Sequence, residues 1–470
     1  MKKISFARAL IVTVIVLGAG ATIGGWALVT HTATIPPVQD NIYFGSSQVV
    51  YKLNGRDGSL IWKQSLTRST PLDIRAASHF GVHVVDNIVY AFMDQDFYAF
   101  KADNGKEIWH QHIMPVGSLT TEDLRIYNEI IDHGTIYLLH ANSTISARSA
   151  KDGTELWSNY TIQGNFSVSN GGVYARVYSE TGQGSTFYAF NAATGQERWH
   201  FMEQGYMGTP FVIAENGIVY DVGSALYALN EHTGQQIWVQ TLPHNNPSIT
   251  SFFRSPQLLN GTLYISTSFS YIGVGGVPDP DFNPFLHIYA FNAKTGNQLW
   301  ISDPGYTQAD WVPITSEAII ATQSKDNTAI VSVIDPQNGK TLWKMPFTII
   351  HDSENTAYDP WIELVDGTLY VVDGSSKQKL QAFDVHNGNK LSEQPLGFTL
   401  SAYDRGGVSN GTAYILSGPT GSGNRPMETL GKVDRAVDAF RLSDGSHAWQ
   451  FKPGMLKGYQ DAISSLVLAP

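Results

Sequence analysis

The run Phe187-Tyr-Ala-Phe-Asn-Ala-Ala-Thr-Gly195-Gln-Glu-Arg-Trp199 alternates aromatic and apolar residues, enters a polar turn, and leaves through a second short run that ends on Trp. The same layout recurs at His287-Ile-Tyr-Ala-Phe-Asn-Ala-Lys-Thr-Gly296-Asn-Gln-Leu-Trp300. A period of two on either side of an Asx- and Gly-containing turn predicts two antiparallel strands, a hairpin. Nine such turns run through the chain, at Gly58, Gly105, Gly153, Gly195, Gly234, Gly296, Gly339, Gly388 and Gly445. Trp stands four residues after eight of them, as Trp62, Trp109, Trp157, Trp199, Trp238, Trp300, Trp343 and Trp449, and only Ser392 breaks the series. The 387 residues from Gly58 to Gly445 hold eight intervals, a period of about 48, which falls in the range of propellers and solenoids. Six residues before the Gly, Ala recurs in seven copies, as in Ala99, Ala189 and Ala290, and a recurring small residue predicts close packing.

A second hairpin precedes most of these corners. Its turns are Asn216-Gly217, Asn260-Gly261, Asp366-Gly367 and Asn410-Gly411, followed by runs such as Thr262-Leu-Tyr-Ile265 and Thr368-Leu-Tyr-Val371. Each repeat is therefore four strands. A lone four-stranded sheet cannot bury both faces, so the repeats must stack, and radial stacking gives a β-propeller with each Trp between adjacent blades. The first copy, from Asn41 to Leu66, starts at its second strand, whereas the stretch from Asp461 to Pro470 has the form of a first strand with nothing after it. The two ends are expected to complete one blade together and so remove an exposed edge.

The corners resemble the repeat of the PQQ-like β-propellers, the quinoprotein alcohol dehydrogenase-like superfamily, whose signature is Ala-Leu/Phe-Asp/Asn-x-x-Thr-Gly-x-x-x-Trp. The resemblance covers residues 41–470. It implies an all-β propeller of four-stranded blades, normally eight of them. Eight is the expectation here, with nine left open by the nine corners counted. The resemblance also implies one of two functional kinds. Some members are dehydrogenases that hold pyrroloquinoline quinone with a calcium ion. Others are non-catalytic scaffolds, such as the propeller lipoprotein of the outer-membrane β-barrel assembly machinery. The dehydrogenases typically carry adjacent cysteines over the cofactor and long insertions that roof it, while the lipoprotein needs an acylated Cys. This chain has no Cys and only modest insertions, so it departs from both.

The N-terminus adds a compartment. Lys2, Lys3 and Arg8 precede Ala9–Val29, an uncharged and mostly apolar stretch that as a helix would reach about 30 Å, enough to cross a bilayer. The expected order is a cytoplasmic segment 1–8, a transmembrane anchor 9–30, a linker 31–40 and the propeller 41–470, held outside the cytoplasm by the positive-inside rule. A cleaved signal peptide with a site near Gly18-Ala-Gly-Ala21 is the rival reading. Gly20 and Gly24 form a GxxxG pair of the kind common in any membrane helix. Beyond the span, 27 basic residues face 41 acidic ones, a net charge of −14, which argues against nucleic-acid partners. Membrane and envelope proteins are the expected partners.

Chemistry has no local signature. Neither a phosphate loop nor a Gly-x-Ser-x-Gly elbow at a strand-to-helix turn is found, and Asp279-Pro-Asp281-Phe-Asn283 lacks the Gly and Glu of a calcium loop. The candidates are residues entering the innermost strand of each blade, where connections approach the axial channel: Arg125, Arg254, Asp310, Trp311, Asp359, Trp361 and Arg405. Trp311 and Trp361 are the only tryptophans outside the corners and the membrane span. Aromatic rings beside converging polar groups suit a ligand pocket, and Arg suits carboxylates. The same residues would equally well satisfy loops around a water-filled channel, and spacing alone does not choose. The function expected is a membrane-anchored, non-enzymatic scaffold; the alternative is a dehydrogenase of alcohols or sugars using pyrroloquinoline quinone and calcium at the channel mouth.

Overall fold

The computed structural model describes the chain from Asn41 to Ala469 except residues 47, 68–79, 94, 114–125, 141–143, 160–165, 179–184, 204–210, 223–224, 242–248, 272–286, 303–313, 326, 352–356, 359, 376, 397–405, 418–435, 444–445 and 454–465. The expected span 9–30 lies outside the described residues; among those described, no helix is long and apolar enough to cross a membrane.

Blade 5 shows how a repeat folds. Its strands are Phe211–Glu215, Ile218–Val222, Ala225–Asn230 and Gln236–Thr241, paired antiparallel in that order from the axis to the rim. The first turn places Asn216 and Gly217 at φ 53° and 79°, the positive pair that a two-residue hairpin with the right twist requires. At the second turn Asn230 Oδ1 accepts from the backbone of His232 and Thr233, and Gly234 N donates to Asn230 O at 2.9 Å. Ala228 then lies opposite Trp238, and the register slips by one residue immediately afterwards. The same bulge follows the residue opposite the corner position in all nine repeats.

Nine blades result, not the eight that the family norm suggests. Eight are four-stranded sheets. Blade 7 has three described strands, with the place of its innermost one marked by the bridge from Ile314 to Ile319. Blade 1 takes its innermost strand from the other end of the chain, as expected: Val467–Ala469 pairs with Tyr43, Ile42 and Asn41. Blade number follows repeat number because each blade binds only its neighbours, so no contact enforces eight.

What joins the blades is the corner. Each Trp indole N–H donates to a backbone carbonyl in the next blade's corner: Trp62 to Ala102, Trp109 to Ala150, Trp157 to Ala192, Trp199 to Glu231, Trp238 to Ala293, Trp300 to Pro336 and Trp343 to Val385. Trp449 of blade 9 donates to Gly55 of blade 1 at 3.0 Å and closes the ring. Under each indole lies the next blade's corner Gly, at φ between 68° and 74°. A Cβ on Gly234 would stand 2.6 Å from the Trp199 ring, and one on Gly58 2.5 Å from Trp449. Gly is thus required twice over, by its dihedral and by the ring packed on it.

A second series, unforeseen from sequence, reinforces the first. Tyr follows the inner turn by three residues and packs beside the Trp of its own blade, as in Tyr220 and Trp238 with centroids 5.9 Å apart. Its hydroxyl donates to the same carbonyl as the indole in Tyr43, Tyr90, Tyr137, Tyr220, Tyr264 and Tyr414. The recurring Ala sits between the two rings, paired with Tyr on one side and Trp on the other, and is 3% exposed or less in all seven copies. That is why it is small. Blade 1 has Lys52 there, and its ammonium donates to the Ala102 carbonyl at 2.7 Å while burial lowers its pKa.

The break at Ser392 is compensated. Ser392 lies opposite Ala382, where Trp would stand. At the corner of blade 9, Leu442 stands where five other blades have Ala or Gly, and it packs against the cluster containing Tyr370, Ala382 and Phe440. Bulk lost from one blade is thus partly supplied by the next.

One buried polar group carries a pH dependence. His140 in blade 3 is 1% exposed; its Nε2 lies 2.9 Å from Ser146 Oγ, and its Nδ1 is buried with no hydrogen-bond partner. Burial, with Arg148 adding to it, pushes the ring down to about 4.

Three outcomes follow from this packing. Trp199→Ala should cost about 3–5 kcal/mol in chemical denaturation, as for other large-to-small core changes. Ser392→Trp alone should overpack the site and destabilise by about 1–3 kcal/mol, whereas Ser392→Trp with Leu442→Ala should be at least as stable as the parent, read from the same midpoints. At pH 7 His140 is neutral whether folded or unfolded. Below about 6.5 the unfolded ring takes a proton that the folded one refuses until about 4. Stability should therefore fall by up to about 3 kcal/mol between those values and level off below, and His140→Gln should lack that component in unfolding measured across pH.

Candidate functional site

A four-stranded meander separates its connections. The turns after strands one and three fall at one end of the blade, while the turn after strand two and the crossing to the next blade fall at the other. On the first face the inner turns of blades 2–6, 8 and 9 hold two residues each, as in 216–217 and 410–411, and the corners are of nearly uniform length. At the second end the described strands are separated by the longest and most unequal intervals, from Ser65 to Phe80, His112 to Ile126, Tyr271 to Ile288, Ser417 to Ala436 and Phe451 to Val467. Variation in this propeller is therefore confined to one face of the disc.

Of the sequence candidates, the structure describes Arg254 and Trp361. Arg125, Asp310, Trp311, Asp359 and Arg405 lie outside the described residues. The backbone of Arg254 is in the innermost strand of blade 6, Ile249–Leu259, opposite Ser266 and directly before a bulge that ends at Gln257. Trp361 opens the innermost strand of blade 8, Trp361–Val365, opposite Val372. Its ring is partly buried against the cluster between blades 8 and 9, so it contributes to packing. Two residues on, along the same face, burial pushes the Glu363 carboxyl up.

Groups that the sequence reading missed lie between blades. On the innermost strands of blades 2 and 3, His83 Nε2 meets Glu129 Oε1 at 3.0 Å, with the imidazole edge-on to Phe92. Between blades 4 and 5, Arg176 pairs with Asp221, both fully buried, and burial pushes that carboxyl up against the opposing effect of the guanidinium. One layer away, Glu231 accepts from Tyr174 at 2.8 Å and from Asn170 at 3.3 Å. The signal existed: Arg176 and Asp221 interrupt otherwise apolar second-strand runs, Val173-Tyr-Ala-Arg176-Val177 and Val219-Tyr-Asp221-Val222. On the rim of blade 2, Asp96 receives His112 at 3.0 Å and His110 at 3.3 Å, and His110 stacks on Tyr98.

The chemistry of these groups is that of pairing. In these pairs Glu129, Asp221, Glu231 and Asp96 each face an imidazole, guanidinium or hydroxyl. Among the described residues no group of three or more His, Asp or Glu is arranged to hold a metal ion. The quinone and calcium that the fold family implies need a stacking platform beside a set of oxygen donors. The described residues do not make that set, since Trp361 is engaged between blades and Glu363 stands beside it without a second described carboxylate bonded to it.

Several solved structures are similar to this chain. A crystal structure of a eukaryotic initiation factor is similar over 92% of this chain and 98% of its own, at 8% identity with a TM-score of 0.56. BamB from Moraxella catarrhalis is similar over 73% of this chain and 94% of its own, at 15% identity and a TM-score of 0.47. The quinohemoprotein alcohol dehydrogenase ADHIIG from Pseudomonas putida HK5 is similar over 82% and 69%, at 14% identity and 0.43. No curated protein matches the sequence. The family described as outer membrane protein assembly factor BamB matches residues 46–172, 141–278 and 284–450, which together take in most of the propeller. With that match and nine blades closed into a ring, eight of them carrying the corner Trp, the chain belongs to the BamB family of PQQ-like β-propellers.

Proposed function

We propose that this propeller is a non-enzymatic scaffold of the cell envelope, tethered by its N-terminal segment, which presents its variable face to envelope proteins. The observation that carries the reading is the division of the disc. One face is fixed by two-residue turns and corners locked to their neighbours, and the other gathers every long connection. Such a disc holds loops at fixed radial positions on a rigid base, which is what protein recognition by loops requires. Membership of a family of outer membrane protein assembly factors supports a role in assembly over a role in turnover. The basic start and apolar stretch at 9–30 support the tether.

The quinoprotein alternative gives the test. Full-length protein is incubated with pyrroloquinoline quinone and calcium, and followed by melting temperature and by dye reduction with alcohols or sugars. The scaffold reading expects no shift and no reduction, with the uncleaved chain in the membrane fraction. A quinone-dependent rise in melting temperature with turnover would reverse it, and a soluble chain whose N-terminus falls between Ala19 and Ala33 would remove the tether.

A further inference from the structure

A closed ring removes the edges between neighbouring sheets but leaves every blade's outermost strand with one unpaired side. Such edges are normally guarded by charge or proline. Most are guarded here: the outer strands of blades 1 and 7 carry Lys63 and Lys344 directly after the corner Trp, and that of blade 8 carries Glu393 and Pro395. Blade 5 is different. Its outer strand, Gln-Ile-Trp-Val-Gln-Thr from Gln236 to Thr241, has no charge and no proline. Ile237 and Val239, on either side of Trp238, are 46% and 37% exposed. An apolar residue before the Trp is common around the rim, but an apolar residue after it occurs only in blade 5 and, as Ile301, in blade 6.

We propose that the chain forms a two-fold dimer in which Gln236–Thr241 pairs antiparallel with the same strand of a second copy. The argument is self-complementarity. In a two-fold antiparallel pair centred on Trp238, Ile237 of one copy stands opposite Val239 of the other, and the symmetry repeats that contact in reverse. Residues directly opposite share a face of the sheet, so the four exposed apolar side chains form one cluster. Gln236 meets Gln240 of the second copy, a neutral pair. In the same register, blades 1, 7 and 8 would set Lys63, Lys344 or Glu393 against an apolar residue and desolvate a charge for no partner. Blade 6 offers Leu299 and Ile301, but its outer strand, Gln298–Ile301, is only four residues, and beyond it the Ser302 hydroxyl is bonded to Ile288 N. Blade 5 supplies both the length and the match. Pairing would fuse two blades into one eight-stranded sheet, an isologous contact that closes after two copies. The area is small, so the dimer is weak and concentration-dependent.

Because the chain has no Cys, introduced cysteines report the register directly. The test uses the full-length chain in detergent, with sedimentation velocity across a wide concentration range and mild oxidation of variants. The expected result is reversible dimerisation, weakened by about tenfold or more in Val239→Lys and unchanged in Leu391→Lys, which alters a more exposed apolar rim residue on blade 8. Ile237→Cys with Val239→Cys should give covalent dimers, whereas Val239→Cys alone should not. Sedimentation of the unaltered chain needs no variant to fold, and a monomer at every concentration overturns the proposal. So does a dimer that survives Val239→Lys, which would place the contact in the N-terminal segment or elsewhere, or one trapped by cysteines at 299 and 301 and not by those at 237 and 239.

Discussion

The structure depends on one repeated interaction: an indole laid on the bare backbone of a glycine in the next blade, with its N–H on that blade's corner carbonyl. Three properties must coincide. The turn must be left-handed at its last residue, that residue must lack a Cβ, and the strand leaving the turn must bring Trp back to face the following blade. The bulge after the residue opposite Trp supplies the last of these, since it adds twist at the point where the strand meets the corner. Burying one indole is worth about 4–6 kcal/mol at ~25 cal/mol per Å². Each interface therefore stands on its own and does not need the geometry of the whole ring.

That local character explains why the blade count departs from the family norm. A core shared by all blades would select one number, but nearest-neighbour locks accept whatever number of repeats the chain encodes, provided the last meets the first. Closure is made twice in different ways. Trp449 lies on Gly58 as any corner Trp lies on its neighbour, and Val467–Ala469 supplies the innermost strand that the N-terminal end lacks. Bringing distant chain ends together costs little more than a short loop, because closure entropy grows only as the logarithm of length. Once the ring is shut by these contacts, the connecting segments on one face are free to differ in length and composition, and there the sequence is least regular.

Much of the fold was legible because the repeat writes the same physics nine times. Gly195 and Trp199 read as turn and packing residue from their spacing, Ala189 as a close contact, and Asn41 and the C-terminal segment as halves of one blade. The Tyr series was equally regular, at Tyr220, Tyr264 and Tyr414, yet escaped notice because an aromatic in an alternating strand already has an explanation. The candidate site was much less legible. A fixed offset before the inner turn places Arg254 and Trp361 on innermost strands, but offset carries no information on where a side chain is directed, and Trp361 proves to be engaged in packing. Arg176 and Asp221 lie 45 residues apart, and nothing along the chain joins them until stacking fixes which strand faces of blades 4 and 5 oppose each other.

Departures from the repeat are therefore more informative than the repeat itself. Where a corner residue changes and its spatial partner changes with it, as at Ser392 and Leu442, the change belongs to packing and the interface remains. Where a substitution brings a polar group into the same carbonyl network, as Lys52 does at Ala102, it is again absorbed into packing. Val239 has no such partner: it replaces the polar or charged residue of every other rim but that of blade 6, stays exposed, and relieves no strain within its own blade. A change that internal packing does not use, at a position where most other blades keep a polar or charged residue, points outward. By that criterion the rim of blade 5 and the long connections of the variable face are the two parts of this surface that the fold does not itself require.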